Sequence, residues 1–384
     1  MTCSQRRSLH GTVSLLIHRS SNFGMALKVT ATLCLVLNSM PIPAQDSITL
    51  PRPLMARTRL FPAVGAGMEE VRRDAVGNYL VLTMPGKSIS VYAPDGKPLG
   101  DIPSSNHKHP ALASATDFDT DPEGRLYVAD RGAEAVKIFD AKGMLVRAIP
   151  NLAPVSIAAL PNGEFALTDL KARQLLEVYS EDGKPLRGVG DFSEEAEHES
   201  LNRLLNLGRV AADAKGHLYF AFSYFPEPTL RKYKRDGEQE YEVALNTLEF
   251  EPEAQAIRRE IQSQDRHEGI PSLKPIVNAV GVDSGNERVW MAMGNILVEF
   301  DSDGSRMGTY QTYTPDGNVL KPTAILVEPG RLLLAADSAG IYEFVRPDVK
   351  PPHSGDAGIS SNDGANRRVD QSSSGTRKPA PVSP

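Results

Sequence analysis

Two sets of residues in this 384-residue chain have the types and spacing to do chemistry. The first is histidine. His107 and His109 form an H-x-H pair within SSNHKHP, and His198 and His267 lie in two later polar stretches. Neutral imidazoles at such spacing can share one divalent ion. The competing reading is four solvated loop histidines that never converge. The second set is ionic. When the internal repeats described below are laid over one another, Glu70, Asp117, Ser156, Arg209, Ala279 and Ala324 take one shared position. Glu69, Thr116, Val155, Gly208, Asn278 and Thr323 take the position before it. Two carboxylates facing an arginine, with Asn278 nearby, could hold a cation or an amino-acid-like ligand. The alternative is rim charges paired among themselves, which contribute little. The chain contains no nucleophile elbow, glycine-rich phosphate loop or HExxH helix.

What would place these residues is a repeat. The phrase GRLYVADRGAEAVKIFDAKG at 124–143 recurs six times, with turn glycines at Gly77, Gly124, Gly163, Gly216, Gly285 and Gly330. Each copy has an alternating strand, the glycine turn, a second strand, a loop and a third strand ending in an aromatic residue. Five copies then enter a tight turn: PDG, AKG, EDG, RDG or SDG. Glycine accepts positive φ cheaply, so these are strong hairpin signals. The unit is a four-stranded antiparallel meander that cannot bury both faces alone. Radial stacking of six buries them, so the prediction is an all-β, six-bladed β-propeller with four-stranded antiparallel blades. A two-sheet sandwich is the alternative. The sixth copy stops one strand short, and residues 57–64, RTRLFPAV, have no partner; they are expected to close the ring.

The repeats resemble the NHL-repeat group of six-bladed propellers, and DPEGRLYVADRGAEAVKIFDAKG is the best match to that pattern. The likeness extends over 57–346 at uneven quality. It implies that Asp130 and Asp169, and Asp337 one residue further on, end second strands and bond loop amides. Among propeller enzymes, gluconolactonase-like hydrolases and peptide-amidating lyases place a metal at the channel mouth. Glu70, Asp117 and Asn278 imitate part of a lactonase-like ligand set. Arg209 opposes a cation there, and alanines fill two positions.

Successive turn glycines lie 47, 39, 53, 69 and 45 residues apart. The extra residues enter between blades. One insertion, SEEAEHESLNRLLNLG, is predicted helical, with Ser193 as cap, Leu201, Leu204 and Leu205 on one face and Gly208 as its stop. The other, 241–277, contains PEAQAIRREIQSQ, with Ala254, Ile257 and Ile261 on one face. In a meander both insertions emerge on the side of the second-to-third-strand loops. One face of the disc is therefore elaborated, and loops on a rigid scaffold are where binding sites are built.

The remaining segments set context. From Met25, an alternative start, MALKVTATLCLVLNSMPIPAQ has one lysine, an apolar run and a small residue at Ala44; residues 1–44 are predicted to be a signal peptide. The run is too short to span a bilayer, so no stable membrane insertion is expected after cleavage. An uncut anchor is the competing reading. Both cysteines, Cys3 and Cys34, fall in this segment, leaving the exported chain, secreted or periplasmic, without thiol or disulfide chemistry. Residues 45–56 are expected to be a linker. Residues 347–384, rich in Pro, Ser, Gly and Asn, are predicted to be a disordered tail. The formal charge is −6; without residues 1–44 it is 38 basic against 48 acidic residues, which argues against nucleic acid. The function expected is binding of a protein, peptide or glycan through the elaborated face, at Glu70, Asp117, Arg209 and Asn278. The alternative is a metal-dependent hydrolase or lyase. No cofactor is predicted beyond a divalent cation that the site could take, with His107 and His109 as candidate ligands.

Overall fold

In the computed structural model, which describes residues 50–103, 112–246, 250–266 and 269–347, the chain begins with two short strands, β1 (Arg52–Met55) and β2 (Thr58–Leu60). Six blades follow. Blade one is β3 (Met68–Arg73), β4 (Tyr79–Thr83), β5 (Ile89–Tyr92) and β6 (Pro98–Ile102). Blade two is β7 (Ala115–Thr120), β8 (Leu126–Asp130), β9 (Ala135–Phe139) and β10 (Leu145–Pro150). Blade three is β11 (Pro154–Ala159), β12 (Phe165–Asp169), β13 (Leu176–Tyr179) and β14 (Pro185–Val189). A helix, α1 (Glu199–Leu205), leads into blade four: β15 (Gly208–Ala212), β16 (Leu218–Phe222), β17 (Thr229–Tyr233) and β18 (Gln239–Ala244). A second helix, α2 (Glu251–Gln264), precedes blade five: β19 (Val277–Val282), β20 (Val289–Met293), β21 (Ile296–Phe300) and β22 (Arg306–Tyr313). Blade six contributes β23 (Ala324–Glu328), β24 (Arg331–Ala336) and β25 (Gly340–Val345). The protein is a six-bladed propeller of four-stranded antiparallel blades, with two short helices among the described residues.

The outer strand of blade six is β2, antiparallel to β25 with Thr58 opposite Glu343 and Leu60 opposite Ile341. Phe61, just beyond β2, packs against Tyr79 and Tyr92 of blade one at ring separations of 5.1 and 5.2 Å. The segment thus bridges the two ends of the ring. Residues 45–56 are not all linker: β1 adds a fifth strand to blade five, parallel to β22, with Arg52 opposite Tyr310. Arg52 fixes this addition by donating to the Tyr310 hydroxyl at 2.6 Å.

The apolar residues of the repeat separate into six clusters, one at each junction between neighbouring blades. This is the burial that radial stacking supplies and a lone meander lacks. Around the axis the inner strands come close enough that Gly281 has no space for a side chain: a Cβ there would lie 2.7 Å from Ile325. The repeated aspartate of the glycine turn is a lock. Asp121 accepts from the Arg125 amide at 2.8 Å, the Arg125 Nε at 2.6 Å and the Tyr127 hydroxyl at 3.1 Å. With Gly124 at φ +81° this fixes a tight turn. Asp130 accepts from the amides of Ala113 and Ser114, each at 2.9 Å, and from Lys137 Nζ at 2.7 Å. Asp169 accepts from Ala153 and Lys171 amides in the same manner.

Outer strands carry a bulge at one shared place. Leu99, Val146, Leu186, Glu240 and Met307 are each the extra residue opposite the preceding strand. A bulge interrupts the edge and disfavours pairing with another chain, which an otherwise open outer strand invites.

Two helix details differ from expectation. Ser193 does not cap α1; its amide donates to Asn206 Oδ1, and the helix starts at Glu199. Asn202 Oδ1 draws the amides of Glu195 and Ala196 back across the helix, and Asp265 accepts from the amides of Glu197 and His198. Gly208 opens β15 rather than ending the helix. The buried face of α2 carries Ala254 and Ile261. No helix among the described residues is long and apolar enough to cross a membrane. The signal segment, His107, His109, His267 and residues 348–384 lie outside the described residues.

Candidate functional site

Inner strands face the central channel, and their pairing explains how the aligned residues reach its mouth. In blades one, two, three and five a bulge in the first strand leaves one extra residue: Glu69, Thr116, Val155 and Asn278. Bulges re-aim side chains, and these sit on the elaborated face. The next residues, Glu70, Asp117, Ser156, Arg209, Ala279 and Ala324, oppose equivalent second-strand positions in all six blades. The alignment made from sequence is therefore the alignment in space.

Glu70, Asp117 and Arg209 come together, but two of the three are engaged in holding the ring. The inner strand of a blade pairs with the second strand on one side only, and the amides along its channel-side edge need acceptors. Asp117 Oδ2 supplies one for blade three, accepting from the Ile157 amide at 3.1 Å and the Ser156 hydroxyl at 2.6 Å. Asp117 Oδ1 accepts from Phe118 at 2.8 Å. Ser156 Oγ in turn accepts from the Val210 amide of blade four at 3.2 Å. Asp119 repeats the device one step deeper, accepting from Ala159 at 2.9 Å. Glu70 Oε1 accepts from the Val71 amide at 2.9 Å and pairs with Arg72, which also reaches Asp119 at 3.3 Å. Arg209, partly exposed, stands 4.0 Å from Asp117.

This enclosure shifts the acids. Burial pushes the Glu70 carboxyl up to about 8, with Arg72 opposing and Asp117 adding to the rise. Burial also raises Asp119, against Arg72 and its two amides. Glu69 is raised by burial and by the nearby Asp337 and Asp117, with Arg209 opposing. For Arg72, burial works against the charge, but Glu70, Asp119 and Asp117 more than offset it and the net shift is upward.

Asn278 does not join this group. Its Oδ1 accepts from the Gly294 amide at 3.1 Å, and the residue lines a different space. That space is a cleft of about 980 Å³ on the elaborated face over blades five and six. Phe250 and Ile257 of the α2 region, Pro275, Ile296, Val319 and Leu320 give it an apolar lining. At its channel side are Asn278, Thr323 and Asp337. The loop from blade five to blade six builds one wall as an extra hairpin, with Tyr313 bridged to Val319 across Thr314–Asn318. Sequence reasoning found the long insertion that carries α2 but not the cleft. The signal available was a second Pro-Asp-Gly turn at 315–317, outside the repeat register.

On the opposite face, among the described residues, Asp213, His217 and Glu287 place ligand atoms within 4.8 Å of one another. Sequence reasoning missed this group. His217 Nδ1 lies 2.8 Å from Asp213 Oδ2, and the Tyr219 hydroxyl donates to the same oxygen at 3.1 Å. This is the turn lock of Asp121, Arg125 and Tyr127 with histidine in the arginine's place. Glu287 is held by Lys215 and, at 2.8 Å, by the buried Lys232, which keep its carboxyl down at about 2. An ion there would have to displace an ammonium group already in place. We read the group as an ion-pair network.

No protein-family model matches the sequence, and no curated protein matches it. Among solved structures the fold is similar to that of a streptogramin B lyase, at 13% identity over 75% of this chain and 86% of that one, TM-score 0.49. It is similar also to virginiamycin B lyase from Staphylococcus aureus, at 14% identity over 76% and 88%, TM-score 0.46. A third likeness is to a nidogen–laminin complex, at 13% identity over 65% and 82%, TM-score 0.43. These likenesses concern the propeller fold.

Proposed function

We propose that the protein is an exported, NHL-like binding propeller whose elaborated face takes an extended peptide, free or as part of a protein partner, in the cleft over blades five and six. The observation that carries this reading is the cleft itself: about 980 Å³, mainly apolar, with a few polar groups at one end. Concave, apolar spaces of this size with sparse polar groups are the usual form of ligand sites. Among the described residues, the opposite face has tight turns, the Asp213–His217–Glu287 ion-pair network and a recess of about 360 Å³ at the channel's end.

A metal-dependent hydrolase or lyase at the channel mouth fits less well. The Asp117 oxygens already accept three hydrogen bonds, and Glu70 is paired with Arg72. A metal would have to break the contacts that join the inner strands. Panning a random displayed-peptide library on the purified full chain tests the proposal. Enriched peptides should lose binding on Ile257→Glu or Val319→Glu and keep it on Lys142→Glu, at the opposite face. Peptides indifferent to both cleft substitutions would refute it.

A further inference from the structure

The cleft runs into the channel mouth, and the charges at that junction do not balance. Asp337 lines the cleft and is exposed. Its backbone carbonyl accepts from the Gly67 amide at 2.8 Å, and the Thr323 hydroxyl donates to the Met68 carbonyl at 2.8 Å. Both contacts hold the cleft's inner end beside Glu69. The carboxylates of Glu69 and Asp337 have no hydrogen bond or ion pair among the described residues. They are close enough to act on one another, and Asp117 acts on Glu69 as well. Against these three carboxylates stands Arg209, 4.0 Å from Asp117. Arg72 is committed below to Glu70 and Asp119.

We infer that the peptide bound in this cleft presents a basic group, a lysine or arginine side chain or an amino terminus, flanked by apolar residues, with its cation lodged between Glu69 and Asp337. The inference rests on the cleft being the binding site. An acidic anchor suits the site less. Lys274 and Lys321 also line the cleft, but both are exposed and keep their ammonium groups in water. Glu69 is partly buried, and a carboxylate withdrawn from water gains more from a matching charge than an exposed ammonium does. Burial has pushed Glu69 up, and a ligand cation would favour its ionised form.

The test uses peptides enriched on the full chain, panned in the presence of a chelator so that no metal bridges carboxylates. Each enriched peptide is resynthesised with norleucine in place of its basic residue. If the inference holds, peptides sensitive to Ile257→Glu carry a basic residue, and the norleucine form binds about tenfold more weakly. The Glu69→Gln, Asp337→Asn double variant should weaken the basic peptide by a similar factor and leave the norleucine peptide unchanged. Cleft-dependent peptides with no basic preference, or with equal affinity for both forms, would overturn this inference and leave the binding reading intact. Enrichment of no cleft-dependent peptide would overturn the reading beneath it, and the inference with it.

Discussion

Replacing Glu70 by glutamine should change how stability depends on pH. The side chain is buried, its Oε1 accepts from the Val71 amide and pairs with Arg72, and burial pushes its carboxyl to about 8 from an ordinary 4.5. The native state then holds its proton more tightly than the unfolded chain. The associated stability is fully present below pH 4.5 and is lost as pH rises through 8. At about 1.4 kcal/mol per pH unit, the whole interval corresponds to roughly 5 kcal/mol. We take about 2–4 kcal/mol as the expected loss between pH 5 and pH 8.5, since the interval starts above 4.5 and partial solvation lowers such costs.

Glutamine keeps the acceptor for Val71 and has nothing to ionise, while Arg72 keeps Asp119 at 3.3 Å. Burial raises Asp119 and Glu69 too, and they act in the same direction in both proteins, so the difference between wild type and variant isolates Glu70. Groups held low act elsewhere. Glu287, near 2 because of Lys215 and Lys232, contributes stability that is lost only as pH falls below 4.5. Urea unfolding at pH 5, 6.5, 7.5 and 8.5 reads the effect. The variant should match wild type at pH 5 and exceed it by about 2 kcal/mol or more at pH 8.5. Parallel pH profiles, or a variant less stable at pH 8.5, would refute the reasoning and mean that the ionised Glu70–Arg72 pair stabilises the ring.

Phe61→Ala should cost about 3–5 kcal/mol in urea unfolding, because the ring fills the seam between blades six and one. Deleting residues 57–64 should lower the melting temperature far more than an equal deletion in a surface loop; an unchanged value would refute closure by β2. Lys232→Met should cost about 3 kcal/mol by leaving Glu287 and Glu240 short of a cation, and zinc should not raise the wild-type melting temperature. A stoichiometric rise with zinc would make the Asp213, His217 and Glu287 group a metal site. Truncation after residue 349 should leave the melting temperature unaltered, since the removed segment has almost no large apolar side chain to bury.

Turns and strand order were legible because each is written locally. A glycine at positive φ and an aspartate four residues before its amide donor define a turn within a few positions, as at Asp121 and Gly124. The missing last strand was legible too, as an arithmetic remainder of the repeat. By contrast β1 pairs with residues more than 250 positions away, in parallel, and Arg52–Met55 has no hairpin to announce it. The limits of α1 were set by Asn202 and by Asp265 from another insertion, which no local pattern at Ser193 records. At the mouth, alignment placed Glu70, Asp117 and Arg209 together but could not say which lone pairs were already used.

That last difference bears on where function can reside in a repeat protein. Aspartate does three jobs here, set by its place in the repeat. Asp121 and Asp213 lock turns, Asp130 and Asp169 gather loop amides, and Asp117 and Asp119 satisfy the inner edge of the next blade. Each job must be done in several blades for the ring to stand, so a residue that keeps to the repeat is generally committed to the scaffold. A ligand needs groups that the scaffold leaves free, and those arise where the chain departs from the repeat. The bulge residue Glu69, the offset Asp337, the α2 insertion and the extra hairpin at Thr314–Asn318 are such departures. All four adjoin the cleft or its junction with the channel. Substitutions at these positions should therefore alter binding more than stability, and substitutions at Asp117 or Asp121 the reverse.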